Sequence, residues 1–78
     1  MESAYWTYRL ALGGDRLYME RLARLYAQPG FPAYNLIESC KWWLLARQAC
    51  DPKIYSADIF LQASQRAQPL FQQIPVKP

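Results

Sequence analysis

Two thiols, Cys40 and Cys50, and six carboxylate side chains, Glu2, Asp15, Glu20, Glu38, Asp51 and Asp58, are the groups in this chain from which catalysis or metal binding would have to be built. The sequence has no histidine, so the commonest general base and metal ligand is missing. The carboxylates are scattered, at spacings that helix caps and helix-surface ion pairs explain. Neither a glycine-rich phosphate loop, a metal-ligand cluster nor a nucleophile elbow can be read. The expectation is therefore no enzyme, with no catalytic residue, no metal and no cofactor. On one continuous helix the two cysteines would stand about 15 Å apart along the axis, beyond the Cα separation of about 7 Å that a disulfide tolerates. Two small buried thiols are expected, with a reactive or intermolecular thiol as the alternative.

The cationic and aromatic groups offer binding chemistry instead. Arg16, Arg21 and Arg24 fall in one arc around Glu20. A solvated face with Glu20 paired to Arg16 and Arg24 at i,i+4 would be worth about 0.2–0.5 kcal/mol per pair. A recognition face for carboxylates or phosphates would use the bidentate guanidinium fork. Arg47 is expected to stack on Trp43 and bond Asp51, or else to anchor an anion. Trp42 and Trp43 are adjacent, so both rings cannot easily point the same way on one helix, and one of them is expected at the surface or an interface. Leu70, Phe71 and Ile74 lie at helical spacing between Pro69 and Pro75. They read as a one-turn cap over the end of the fold or as a short docking peptide.

Four helices would position these groups. The first spans residues 3–12, with Ser3 suited to the N-cap and Gly13-Gly14 as its end. Asp15 caps the second, in which Tyr18, Met19, Leu22, Ala23, Leu25 and Tyr26 share one face and Arg16, Glu20, Arg21 and Arg24 the other; Pro29-Gly30 stops it. The third runs from about Ala33 to Ala49 after Pro32 in a first turn, apolar almost all round and hence buried between neighbours. Asp51-Pro52 opens the fourth, which packs through Ile59, Phe60, Ala63 and Ala67 and ends at Pro69. No stretch alternates with period two, so the fold class is all-α. The expected organisation is one domain over residues 1–68 with a capping or docking tail over residues 69–78.

Glu2, Ser3, Trp6 and Asp15 recur as Glu38, Ser39, Trp42 and Asp51, thirty-six residues on, a distance typical of arrays of supersecondary units. Leu22-Ala23-Arg24-Leu25-Tyr26, the Pro29-Gly30 turn, and Ser39-Cys40-Lys41-Trp42-Trp43-Leu44-Leu45-Ala46-Arg47 resemble the two helices of a Sel-one-like repeat, a relative of the tetratricopeptide repeat. Trp6 through Gly14-Asp15 resembles the end of a preceding second helix. The resemblance covers about residues 2–62 and implies antiparallel α-hairpins that stack because none buries its apolar side alone. Ala23 and Ala46 would let helices approach closely, while Tyr26 and Trp42 would fill the space between hairpins. It also implies that first helices line a concave binding face, which would put Arg16, Arg21 and Arg24 on it. Departures occur at Ala23, Arg47, Pro29-Gly30 and Cys50, and the fourth helix departs most.

At 78 residues a single core is marginal, and an outside contact often completes it. A net charge of +3 favours acidic partners without the dense Lys/Arg runs of a dedicated nucleic-acid binder. No apolar run approaches the roughly 18 residues of a membrane span, and the opening residues do not read as an export leader, so a cytoplasmic site without membrane contact is expected. The resulting expectation is a non-catalytic protein-binding module, an adaptor, subunit or small inhibitor, with Arg16, Arg21, Arg24, Trp43, Arg47, Leu70 and Phe71 as contact residues and a protein of acidic surface as partner. A helical nucleic-acid-binding regulator and a self-associating structural subunit are the alternatives.

Overall fold

A computed structural model of the chain describes residues 4–74; the expected Ser3 cap and the echo partners Glu2 and Ser3 lie outside the described residues. Four helices and no strand occur among them: α1 (Ala4–Leu12), α2 (Arg16–Tyr26), α3 (Leu36–Leu45) and α4 (Ala57–Gln73). Each helix packs on its neighbours in sequence, α1 on α2, α2 on α3 and α3 on α4. Both middle helices, α2 and the apolar α3, thereby have a neighbour on either side. Met19, Leu22, Ala23, Trp42, Leu45, Ala46 and Ala67 share one buried cluster with Ala11 and Ile74. Cys40, Tyr55 and Ala63 form a second between α3 and α4.

Local chemistry sets the helix ends. Asp15 accepts from the Leu17 N–H and caps α2, as its position before the amphipathic run predicts. At the other end of α2 the four last carbonyls all find donors. Arg24 and Leu25 accept from the Ala27 and Gln28 N–H groups, Tyr26 accepts from the Asn35 N–H, and Ala23 accepts from the Ser39 hydroxyl. Burial pushes the Tyr26 phenol above its usual range, and the charges of Glu38 and Tyr8 add to the rise.

The third and fourth helices differ from expectation at both ends. α3 starts at Leu36 because Asn35, extended at φ −164°, accepts from the Ile37 and Glu38 N–H groups, which leaves Pro32 in the preceding turn. It ends at Leu45, four residues early, in a Schellman motif: Gln48 N–H donates to the Trp43 carbonyl and Arg47 N–H to that of Leu44. Asp51 does not cap α4. Its carboxylate accepts from the Lys53 N–H and its carbonyl from Ile54 and Tyr55, which closes a single turn; Ser56 then caps a helix that begins at Ala57.

Nor does α4 end at Pro69. The helix runs on to Gln73, with Leu70 and Phe71 half-buried and Ile74 buried against the core. An interior proline costs about 3 kcal/mol, while a fully buried Leu, Ile or Phe side chain returns about 1.5–3 kcal/mol. Three apolar side chains on one face outweigh one lost bond. Pro69 and Gln65 are both exposed, so the carbonyl left without its helical donor meets water.

A directed chain of hydrogen bonds ties α2, α3 and the α3–α4 loop together. The Ser39 hydroxyl donates to the Ala23 carbonyl at 2.5 Å, so at the 2.6 Å contact between Ser39 and Tyr55 the tyrosine is the donor. The Tyr55 oxygen in turn accepts from the Trp43 indole N–H at 3.1 Å.

Ser39→Ala leaves a buried carbonyl and a buried phenol short of a partner, and Tyr55→Phe strands the indole and serine; each is expected to cost about 1–3 kcal/mol in urea unfolding. The double variant should lose clearly less than the sum, since the sites act as one network; strict additivity would refute the coupling. Pro69→Ala should raise stability by about 2 kcal/mol, read by the same unfolding curves.

Candidate functional site

The most developed concavity, of about 340 Å³, lies between the end of α2 and the α3–α4 loop. Its lining comes from Arg24 and Ala27 at the end of α2, Trp43 of α3, and Gln48, Ala49, Asp51, Ile54 and Tyr55 of the α3–α4 loop. The Trp43 indole N–H is anchored on Tyr55, which fixes the ring within that lining. Trp42, one residue earlier, is fully buried and meets Tyr8 edge to face. The adjacent indoles thus divide into a core residue and a groove residue, as the geometry of one helix requires.

Arg24 sits over the Trp43 ring with its guanidinium carbon 5.5 Å from the centroid. The ring face holds the cation at the groove's edge. Glu20 lies 3.9 Å from Arg24 in an exposed i,i+4 pair, of the kind worth a few tenths of a kcal/mol. Arg24 also borders a shallower recess of about 240 Å³ with Thr7, Arg21, Leu25 and Gln28. Arg24 therefore borders both concavities, while the Arg21 guanidinium belongs to the shallower one. The loop part of the lining carries the Asp51 carboxylate, exposed and accepting from the Lys53 N–H.

The remaining expected contact residues lie elsewhere. Arg16 reaches across the α2–α3 contact and donates from Nε to the Ala46 carbonyl at 3.1 Å, which satisfies the C-cap carbonyl of α3 and sets a cation at the negative pole of that helix. Arg21 lies over the Tyr18 ring at 5.2 Å. Arg47 does not stack on Trp43 or reach Asp51 as expected; its guanidinium lies 4.6 Å from the centre of the Phe71 ring. Its backbone is the reason. Arg47 occupies the left-handed position of the Schellman turn, at φ 64°, which carries its side chain toward α4. Phe71 is accordingly half-buried beneath Arg47, and Leu70 packs on the core.

The cysteines correct a second expectation. Cys40 and Cys50 are joined by a disulfide, with Cα atoms 5.8 Å apart. A separation of about 15 Å holds only for one helix through both residues. Because α3 ends at Leu45, the chain turns back and returns Cys50 to the side of Cys40. The bond pins the loop that forms the groove wall.

Tyr55, Ile54 and Gln48 are not among the expected contact residues, because the sequence pattern places them in helices. One signal for the true boundary is present: Ser56 with Asp58 two residues later is an N-cap followed by an acidic first turn. Among the described residues no group of three or more Cys, Asp or Glu side chains is placed to hold a metal ion. No helix among them is long and apolar enough to cross a membrane.

Comparison with protein-family models, with curated proteins and with solved structures finds no match to the chain.

A non-glycine residue in the left-handed region costs about 1–2 kcal/mol. Arg47→Gly is therefore expected to be more stable than Arg47→Ala by about 1 kcal/mol, the reverse of the ranking inside a helix. Both variants lose the Phe71 contact, so thermal melts of the pair isolate the backbone term; an alanine variant at least as stable as the glycine variant would contradict it.

Proposed function

We propose that this chain is a non-catalytic protein-binding module, a small adaptor, subunit or inhibitor, whose groove between α2 and the α3–α4 loop receives a partner segment carrying a bulky apolar side chain beside acidic residues. The observation that carries the reading is Arg24 held on the face of Trp43 at the mouth of an otherwise mainly apolar groove. An apolar side chain would displace water from Trp43, Ala27, Ala49 and Ile54, and carboxylates would reach the forks of Arg24 and Arg21. Asp51 on the loop and Arg24 on α2 give the groove lining charges of opposite sign on different elements. The partner's acidic residues belong toward α2. A net charge of +3 supports an acidic partner in the same sense.

The architecture is read as Sel-one-like or tetratricopeptide-like hairpins. Sequence-adjacent packing of helices and the buried Ala23 and Ala46 at the α2–α3 contact support that reading. In this setting the module is assigned to the cytoplasm. A nucleic-acid partner is disfavoured by the engagement of the arginines: Arg16 on Ala46 and Arg24 on Trp43, both from α2, and Arg47 on Phe71 from the turn after α3. They do not form one stripe along a backbone.

A second reading is self-association, favoured by the outer face of α1. Tyr5, Trp6, Leu10 and Leu12 are all exposed there, Trp6 at 60%, and Leu17 at the start of α2 is exposed too. Single exposed apolar residues are ordinary, whereas several on one helix face support an interaction surface.

Peptide arrays that vary an apolar centre and its flanks are the direct test. Wild type should retain apolar-acidic peptides and lose at least about tenfold in affinity on Arg24→Glu, a change of about 1.4 kcal/mol. Binding that tracks total peptide charge and collapses with modest salt would point to phosphate-type electrostatics and a nucleic acid instead. Absence of any selected peptide, together with a dimer in sedimentation that Leu10→Glu dissociates, would replace this reading with self-association.

A further inference from the structure

The groove wall is a strap held at three points. At its start the Gln48 N–H donates to the Trp43 carbonyl; at its end Tyr55 bonds Ser39 and Trp43; between them the Cys40–Cys50 disulfide is the anchor. Gln48 and Ala49 lie on one side of that anchor, Asp51 and Ile54 on the other. Ile54 is more than half exposed and Asp51 is exposed, so packing holds neither in place, and the bonds that Asp51 accepts from Lys53, Ile54 and Tyr55 are internal to the strap rather than made to α3. The covalent bond is what keeps the middle of the strap against α3.

From this arrangement we infer that the Cys40–Cys50 disulfide is a redox switch that sets the shape of the groove, closed and binding-competent when oxidised and open when reduced. The inference rests on the proposed use of the groove, and the switch itself can be tested separately. The two sulfurs are not equally accessible: Cys40 is fully buried and Cys50 half-buried. An incoming thiolate therefore attacks Cys50 Sγ and forms a mixed disulfide, while the Cys40 sulfur leaves with the bonding pair and takes up a proton. A second thiol then attacks the reductant's sulfur in that mixed disulfide and releases Cys50 as a thiolate, which is protonated in turn. Two thiols become one disulfide, and the protein gains two electrons and two protons.

In the reduced state the ends of the strap keep their hydrogen bonds, so the helices persist while residues 48–54 gain freedom. A bond buried in a dry, uninterrupted core would do no more than stabilise the fold. This one joins the core to a partly exposed loop that lines the proposed site, in a chain assigned to a reducing compartment where disulfides are commonly transient.

The experiment uses the full chain in three forms: air-oxidised, reduced with dithiothreitol, and Cys50→Ser. Mass spectrometry should show the oxidised form lighter by two hydrogens. Two free thiols after air oxidation would overturn the inference. Amide exchange should rise at least about tenfold at Ile54 and Tyr55 in the reduced and Cys50→Ser forms and stay unchanged in the middle of α2. A fluorescein-labelled peptide DEFLDE should bind the oxidised form at least about tenfold more tightly than the other two, with dithiothreitol without effect on Cys50→Ser. Equal loop exchange in oxidised and reduced forms overturns the switch whatever the peptide does. Changed exchange with no peptide bound by any form overturns the groove reading and leaves the redox-set loop standing. Changed exchange with equal peptide affinity in both forms overturns the coupling between them.

Discussion

The Ser39 hydroxyl reaches the Ala23 carbonyl at 2.5 Å, and that contact is available only because both residues are small enough for α2 and α3 to lie almost backbone to backbone. Ala23 needs an outside donor since the last turn of α2 tightens: the Ala27 N–H goes to Arg24. A buried carbonyl left without a partner would cost about 1–3 kcal/mol. Ser39 supplies that partner and, its single proton spent, must accept from Tyr55. Tyr55 must then accept, and Trp43 is the donor at hand. One orphan carbonyl thus fixes the orientation of a tyrosine in a loop and of an indole on a helix surface. The groove is built from those two rings.

The same chain explains why the α3–α4 connection is not helical. A first turn starts at Asp51, as its proline neighbour favours, but Tyr55 has to face inward to Ser39 and Cys50 has to return to Cys40. Two anchors on α3 hold the strap across the helix end. Ser56, extended, frees the direction of α4 from that of the strap. The four helices were legible in the sequence because amphipathic period, Asp15 and the two-glycine turn are local signals. The strap was not. Its shape depends on contacts between residues sixteen and ten positions apart, Ser39 with Tyr55 and Cys40 with Cys50, and no local pattern encodes them.

Proline was over-read for a related reason. Pro69 signals a stop when its neighbours are indifferent, yet Ala63, Ala67, Leu70 and Ile74 continue one helical stripe across it. A breaker on the solvent side of a stripe removes a bond that water replaces, so the stripe decides. Pro32 and Pro52 show the converse. Neither begins a helix, because Asn35 and Ser56 downstream offer a side-chain acceptor where the first helical N–H groups need one.

The thirty-six-residue echo pairs residues whose surroundings differ. Trp6 is largely exposed on α1, whereas Trp42 is sealed between helices; Asp15 caps a helix, whereas Asp51 closes a turn. The backbone repeats at another distance. α1 and α3 both end in a Schellman turn, with Gly14 at φ 93° in one and Arg47 at φ 64° in the other, thirty-three residues apart. Gly14 fills a position that suits glycine, and Arg47 holds the equivalent position at a cost in backbone energy. What the arginine adds there is reach: from that turn its side chain covers Phe71 and fastens the last turns of α4 to the end of α3. The departure from glycine at the second turn therefore couples the C-terminal helix to the hairpin that carries the groove, a connection that the glycine at the first turn has no side chain to make.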